Sequence, residues 1–245
     1  MGKHCWGEAL ADGVRRLAGS PWEGELSLTE DVLPWEAVRL QPPTAPSKIV
    51  CVGSNYRLHC VEMGKPVPER PLLFLKPPSA LAAHEAPIVL PPGAERVEYE
   101  GELGVVVRRR MRRVAEGEVL AYLLGCTVVN DVTDRDIQKS DGQFTRAKGF
   151  DTFCPVGPWI ETDADPRDLS LVTTLNGVVR QDSRTSDMVF SVPRLVSFMS
   201  HVMTLEPGDL ISTGTPSGVG PVSAGDVVAI TIEGVGTLSN PVVAE

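Results

Sequence analysis

The sequence predicts a β-rich α+β domain, on three observations. Gly (23) and Pro (21) recur along the 245 residues and cut the chain into short segments. Between those breaks lie apolar runs of strand length, rich in Val, Ile, Leu and Thr. Apolar residues at helical spacing are much scarcer.

In chain order, residues 1–46 are loosely patterned and end in the proline-rich QPPTAPSK, which marks a small N-terminal segment ahead of a main domain at 47–245. IVCVG (49–53) is an apolar run stopped by Gly53, and LLFLKP (72–77) and GELGVVVRR (101–109) are the next two strand candidates. RVAEGEVLAYLLG (113–125) reads as a short helix feeding the strand LLGCTVVNDVT. LVTTLNGVV contains Asn176-Gly177 between two strand-like runs, a hairpin signal. VPRLVSFMSHVMTL (192–205) is the clearest helix: Leu195, Val196, Phe198, Met199 and Val202 share a face, a Pro sits near its start, and His201 packs against or caps it. DLISTGT, DVVAITIEG and VGTLSNPVV complete the strands.

A chain that is 42% hydrophobic and 22% charged can bury a substantial core. Net charge of -9 argues against nucleic acid or an anionic membrane as partner. The basic cluster RRRMRR (108–113) therefore reads as a solvated turn. No apolar stretch reaches the length of a membrane span, and the first ten residues lack an apolar core for export. The five cysteines are odd in number, without a C-x-x-C pair, and Cys51 and Cys126 sit in apolar runs as small core residues. A reducing cytoplasm is the expected compartment.

The chemistry is concentrated in a few polar residues set among apolar ones. In VEYEGELGVVV a period of two places Glu98, Glu100 and Glu102 on one strand face, running straight into a buried segment. Buried unpaired carboxylates either neutralise or hold a cation, and an acid from a second strand, Asp131 in VVNDVTDRDIQ, would complete an oxygen-ligand site. A solvated strand face is the alternative. His59 and Glu62 are three apart, so one helical turn makes the carboxylate orient the imidazole as a general base; an ordinary surface turn is the alternative. Gly64, Pro66 and Pro68 follow, suggesting a mobile flap. Arg135, between Asp134 and Asp136, is either part of a site with Gln138 or a local ion-pair knot. Lys148 is a lone lysine beside a loop of aromatic and small residues. STGTPSGVGP (212–221) frees backbone amides at Gly214, Gly218 and Gly220 that suit a carboxylate or oxyanion.

Singly these signals are weak, but their order resembles the fumarylacetoacetate hydrolase family from Ile49 to Val243. The matching pieces are VGSNYRLHCVEMG, FLKP, YEGELGVVV, NDVTDRDIQ, GQFTRAKGFDTFCPVGP, NGVVRQDSRTSDMVF, TLEPGDLISTGTPSGVG and GDVV. The resemblance implies a mixed β roll or sandwich with short helices, usually a homodimer. It further implies Mg2+, Mn2+ or Ca2+ held by Glu100, Glu102 and Asp131, with Glu98 left to solvent or to the surroundings of the site. By the same match His59 and Glu62 are the dyad that moves protons or activates water, and Lys148 is the active-site lysine. Arg135 and Gln138 lie around the substrate, and Gly214 and Thr215 form the carboxylate-binding turn. Asn55, Tyr56 and Lys76 are supporting positions. Three residues depart from the family pattern: Ser54 where many relatives carry Arg, Asp134 for a small residue, and Phe144 for a frequent Trp. All three lie close to where substrate identity is set, and the acid at 134 would oppose a dianion.

The implied activity is that of a metal-dependent enzyme on 2-oxo or 2-hydroxydienoate dicarboxylates, an isomerase or decarboxylase of aromatic catabolism. Acylpyruvate hydrolysis and oxaloacetate tautomerisation or decarboxylation are the alternatives within the family. A non-catalytic metal-binding scaffold would need only the ligands, and the presence of His59, Glu62 and Lys148 speaks against it.

Overall fold

The fold is taken from a computed structural model, which describes residues 4–22 and 26–245. Residues 1–3, part of the stretch read above for an export signal, lie outside the described residues. The chain divides into two compact units, 1–41 and 42–245. The smaller is a three-stranded antiparallel meander of Gly7–Leu10, Gly13–Leu17 and Leu28–Pro34. Trp6 and Trp22 meet edge to face within it, with ring centroids 5.7 Å apart.

The larger unit is built on two curled sheets. One has seven strands, in the order Leu72–Lys76, Ile49–Gly53, Leu210–Ser212, Gly101–Val107, Leu123–Asn130, Cys154–Glu161 and Leu81–Ala82. The other has five, in the order Val178–Arg184, Ser170–Leu175, Val227–Ile232, Gly236–Ala244 and Ile88–Leu90. Leu103, Val105 and Val107 alternate along their strand and join Leu171, Ile230, Ile232 and Leu238 of the second sheet in one core. The expected β-rich α+β class, a mixed roll with short helices, is the class observed.

Local sequence explains the main connections. Asn176 and Gly177 both adopt positive φ (53° and 77°), as a two-residue hairpin between Ser170–Leu175 and Val178–Arg184 requires. The helix Val192–Val202 is capped by Ser191, whose hydroxyl accepts from the Arg194 amide, and buries Val192, Leu195, Val196 and Met199. His201 Nδ1 meets the Ser197 carbonyl at 2.9 Å on that helix. In the basic cluster, the Arg109 guanidinium lies 5.0 Å from the centre of the Tyr122 ring, and Arg112 donates to the Ser200 and His201 carbonyls at the helix end.

The helix expected over 113–125 is not formed. Glu116–Tyr122 is a 3-10 segment, and the chain enters a strand at Leu123. Gly117 weakens an α-helix there, while the ladder pairing Leu123 with Val107 and Gly125 with Val106 claims the last residues. A β-carbon at Gly125 would sit 2.1 Å from the Glu161 carbonyl oxygen, so glycine is what lets the neighbouring strand approach. No helix among the described residues is long and apolar enough to cross a membrane.

Candidate active site and metal centre

Glu100, Glu102 and Asp131 converge at the ends of two neighbouring antiparallel strands. Gly101–Val107 and Leu123–Asn130 pair Asn130 with Gly101 and Val129 with Glu102, which brings Asp131 alongside Glu100. Two further bonds fix that junction: the Asp131 amide donates to the Glu100 carbonyl (2.9 Å), and the Glu100 amide donates to Asn130 Oδ1 (3.0 Å). One carboxylate oxygen from each of the three acids lies within 4.8 Å of the others, and all three side chains are buried.

Glu98 does not share a face with them on a continuous strand. The strand Val97–Tyr99 stops before Glu100 and belongs to a separate three-stranded sheet with Thr133–Asp134 and Gly220–Pro221. Glu98 is 1% exposed, not solvated. Its carboxylate accepts from Arg96 and, at 2.5 Å, from Arg135 Nε. Arg135 Nη2 donates to Glu100 Oε1 at 2.5 Å and Nη1 to Gln138 Oε1 at 3.0 Å. The ion-pair knot of Arg135 is therefore made with Glu98 and Glu100 rather than with its sequence neighbours. Asp134 faces its own helix, accepting from the Ile137 amide at 2.9 Å as the N-cap of Arg135–Asp141.

Two buried lysines complete the charge pattern. Lys148, at the end of the helix Phe144–Lys148, donates to Asp131 Oδ2 (2.6 Å), Glu100 Oε2 (2.9 Å) and Thr133 Oγ1 (2.6 Å). Its ammonium also lies 5.0 Å from the centre of the Phe74 ring, which Phe144 meets edge on at 5.3 Å. Lys76 donates to Asp131 Oδ1 (2.5 Å) and the Val132 carbonyl (3.1 Å). Burial alone would lower the Lys148 pKa, but the Asp131 and Glu100 carboxylates push it up to about 12. Burial likewise works against ionised Glu100, yet Lys148, Arg135 and His59 hold its carboxyl well below the usual range.

Glu102 is different. Among the described residues no cationic side chain pairs with it; its Oε2 accepts from Ser212 Oγ (2.5 Å) and the Gly214 amide (2.8 Å). Burial and the Asp131 and Glu100 charges push its carboxyl well above the ordinary range. A carboxylate in that position is short of one cation. In an octahedral site with bonds of about 2.1 Å, oxygen ligands lie at most about 4.2 Å apart, close to the observed clustering. The residues fit a hard divalent ion.

The dyad lies on the short helix Arg57–Glu62, where His59 Nδ1 and Glu62 Oε2 are 2.9 Å apart. A carboxylate only accepts, so Nδ1 carries a proton, and in the neutral ring the lone pair is then on Nε2. His59 is buried while Glu62 keeps 31% of its side chain exposed. The stretch with Gly64, Pro66 and Pro68, expected as a flap, follows directly on that helix.

The glycine turn is engaged within the protein. Besides the Gly214 bond to Glu102, Thr215 Oγ1 donates to the Gly101 carbonyl (2.9 Å) and accepts from Gln181 Nε2 (2.7 Å). Gln181 also accepts from the Gly101 amide (3.0 Å) and donates to the Pro216 carbonyl (2.9 Å). Sequence reasoning passed over Gln181 and Ser212. Gln181 lies in VVRQDSR, whose polar character hides that it alone in that strand is buried. Asn55, a supporting position, ties the Thr213 and Phe190 carbonyls and the Phe190 amide to the start of the dyad helix.

Comparison with known proteins identifies the family. Residues 48–243 match the family model described as fumarylacetoacetate (FAA) hydrolase C-terminal. A crystal structure of 2-hydroxyhepta-2,4-diene-1,7-dioate isomerase from Mycobacterium marinum is 51% identical with a TM-score of 0.89, covering 95% of this chain and 88% of that one. A mitochondrial oxaloacetate tautomerase of Bos taurus is 41% identical over 250 residues, 97% of this chain and 77% of its own. The 4-hydroxyphenylacetate degradation bifunctional isomerase/decarboxylase of Salmonella dublin is 39% identical over 239 residues, 96% of this chain and 56% of its own. With a family match across most of its length and close relatives on both sides of it, the chain belongs to the fumarylacetoacetate hydrolase family of enzymes.

Proposed function

We propose that this enzyme acts on 2-oxo or 2-hydroxydienoate dicarboxylates as a divalent-metal-dependent isomerase or decarboxylase. One observation carries the reading: three buried carboxylates cluster together, one of them without a cationic partner among the described residues, and His59 is near enough to act electrostatically on Glu100. Glu100, Glu102 and Asp131 would hold the ion, with Mg2+ the expected metal. Bound there, a divalent cation supplies a Lewis acid that polarises the keto group of a 2-oxo acid.

The chain's own residues do the rest. His59 Nε2 takes a proton from the carbon next to the keto group and returns it elsewhere on the conjugated chain, which is an isomerisation. Glu62 holds the imidazolium that forms meanwhile. Lys148 supplies fixed positive charge where electron density accumulates. If the bond to a carboxylate carbon breaks instead, CO2 departs, the bonding pair stays on the substrate as an enolate beside Lys148, and protonated His59 returns a proton to carbon, which is a decarboxylation.

The 41% identity to an oxaloacetate tautomerase supports a second reading, keto–enol exchange of a shorter diacid by the same residues. A panel of 2-oxo diacids and acylpyruvates, followed by enol absorbance with saturating Mg2+, tests both. Turnover should depend on added metal and fall sharply in Glu62→Gln. An absence of turnover on every member of the panel refutes the assignment.

A further inference from the structure

The dyad is tied to the rest of the site by a path outside His59 and Glu62. Glu62 uses Oε2 for His59, and its other oxygen, Oε1, accepts from the Gly218 amide at 2.9 Å. The carbonyl of Gly218 accepts in turn from the Tyr99 hydroxyl at 2.8 Å. Tyr99 is buried and immediately precedes Glu100 in the chain. Its backbone pairs with Gly220, so the same residue grips the turn by both its main chain and its side chain.

Gly218 suits this role for a physical reason. Its φ is 102°, and a β-carbon there would lie 2.0 Å from the Arg180 carbonyl oxygen. The peptide is thus pressed against a neighbouring strand in an orientation open only to glycine, with its amide aimed at Glu62. Glu62 needs such a hold, because it sits on a helix of only six residues and is partly exposed. A glutamate with freely turning torsions would present its carboxylate to His59 only part of the time.

We propose that Tyr99 is a positioning residue for the proton-transfer dyad, acting through the backbone of Gly218, whose carbonyl it holds and whose amide meets Glu62, and so on the tautomer of His59. The inference rests on the reading of His59 and Glu62 as that dyad. The strand that leads into Glu100 then also sets the aim of the base, which keeps the base in register with the carboxylate cluster. At the opposite end of the same turn, the Gly214 amide holds Glu102.

The test is a 15N spectrum of the histidine rings of the full-length, Mg2+-saturated protein, at a pH where the rings are neutral. With four histidines in the chain, a His59→Gln variant assigns the signal. Wild type should show His59 as the Nδ1–H tautomer, and Glu62→Ala should lose it. Tyr99→Phe keeps the buried ring and removes only the hydroxyl. It should shift the tautomer ratio toward Nε2–H by about fivefold, the scale of one hydrogen bond, while calorimetric Mg2+ affinity stays at the wild-type value. A Tyr99→Phe spectrum identical to wild type, with Glu62→Ala changed, overturns the role of Tyr99 alone. Spectra unchanged in both variants overturn the dyad itself.

Discussion

Lys76 Nζ and Asp131 Oδ1 form an ion pair 2.5 Å long with both side chains shielded from water. Removing one partner of such a pair strands the other. We predict that Lys76→Met destabilises the metal-free protein by about 3 kcal/mol in urea unfolding, since Lys148 is left as the remaining cation on Asp131. A loss under 1 kcal/mol would show that Lys148 alone satisfies the acid.

Ser212 and the Gly214 amide both donate to Glu102 Oε2, and among the described residues no basic side chain does. Partners of this kind orient a ligand without touching the ion. Ser212→Ala should weaken Mg2+ binding by about 10–100-fold, while Glu102→Ala should abolish it. Isothermal calorimetry measures both; wild-type affinity in Glu102→Ala would refute the ligand set.

Chelation should lower the melting temperature without unfolding the protein at room temperature. In the absence of metal, Lys76, Lys148 and Arg135 already offset Glu98, Glu100 and Asp131. An ion at 100 times its dissociation constant adds about 2.7 kcal/mol to that. Scanning calorimetry with and without a chelator checks this, and coincident transitions would mean that no ion binds the native state.

Much of this site can be read in the primary structure, because buried charge among apolar residues is a local and costly pattern. Glu100, Glu102 and Asp131 announce themselves by interrupting VEYEGELGVVV and VVNDV. The strand ladders follow from short apolar runs, and the Asn176-Gly177 turn from the backbone freedom of its residues. Competition between elements is harder to foresee. At 113–125 a helical spacing lost to a strand pairing that only the tertiary fold supplies. Period-two alternation also assumed one strand through residues 97–107, whereas the break at Glu100 sends Glu98 into another sheet. Long-range polar contacts left no local trace: Gln181 meets Gly101 eighty positions away, and Gly218 meets Glu62 across 156.

Gln181 is a further bridge between the acidic strand and the glycine turn, beside the direct bonds made by Ser212, Gly214 and Thr215. Its carbonyl oxygen accepts from Gly101, between two of the metal-site acids, and its amide donates to Thr215 and Pro216. Replacing it with Leu fills similar space but leaves the buried Gly101 amide without a partner, at a cost of about 1–3 kcal/mol. We therefore expect Gln181→Leu to lower stability by about 2 kcal/mol, and also to raise KM for the 2-oxo acid more than it lowers kcat, because Gln181 bonds the Thr215–Pro216 part of the turn directly and the Gly218 end that holds Glu62 only through it. Equal loss in both kinetic constants would place Gln181 in the proton-transfer path instead, and urea titration beside steady-state kinetics separates the two.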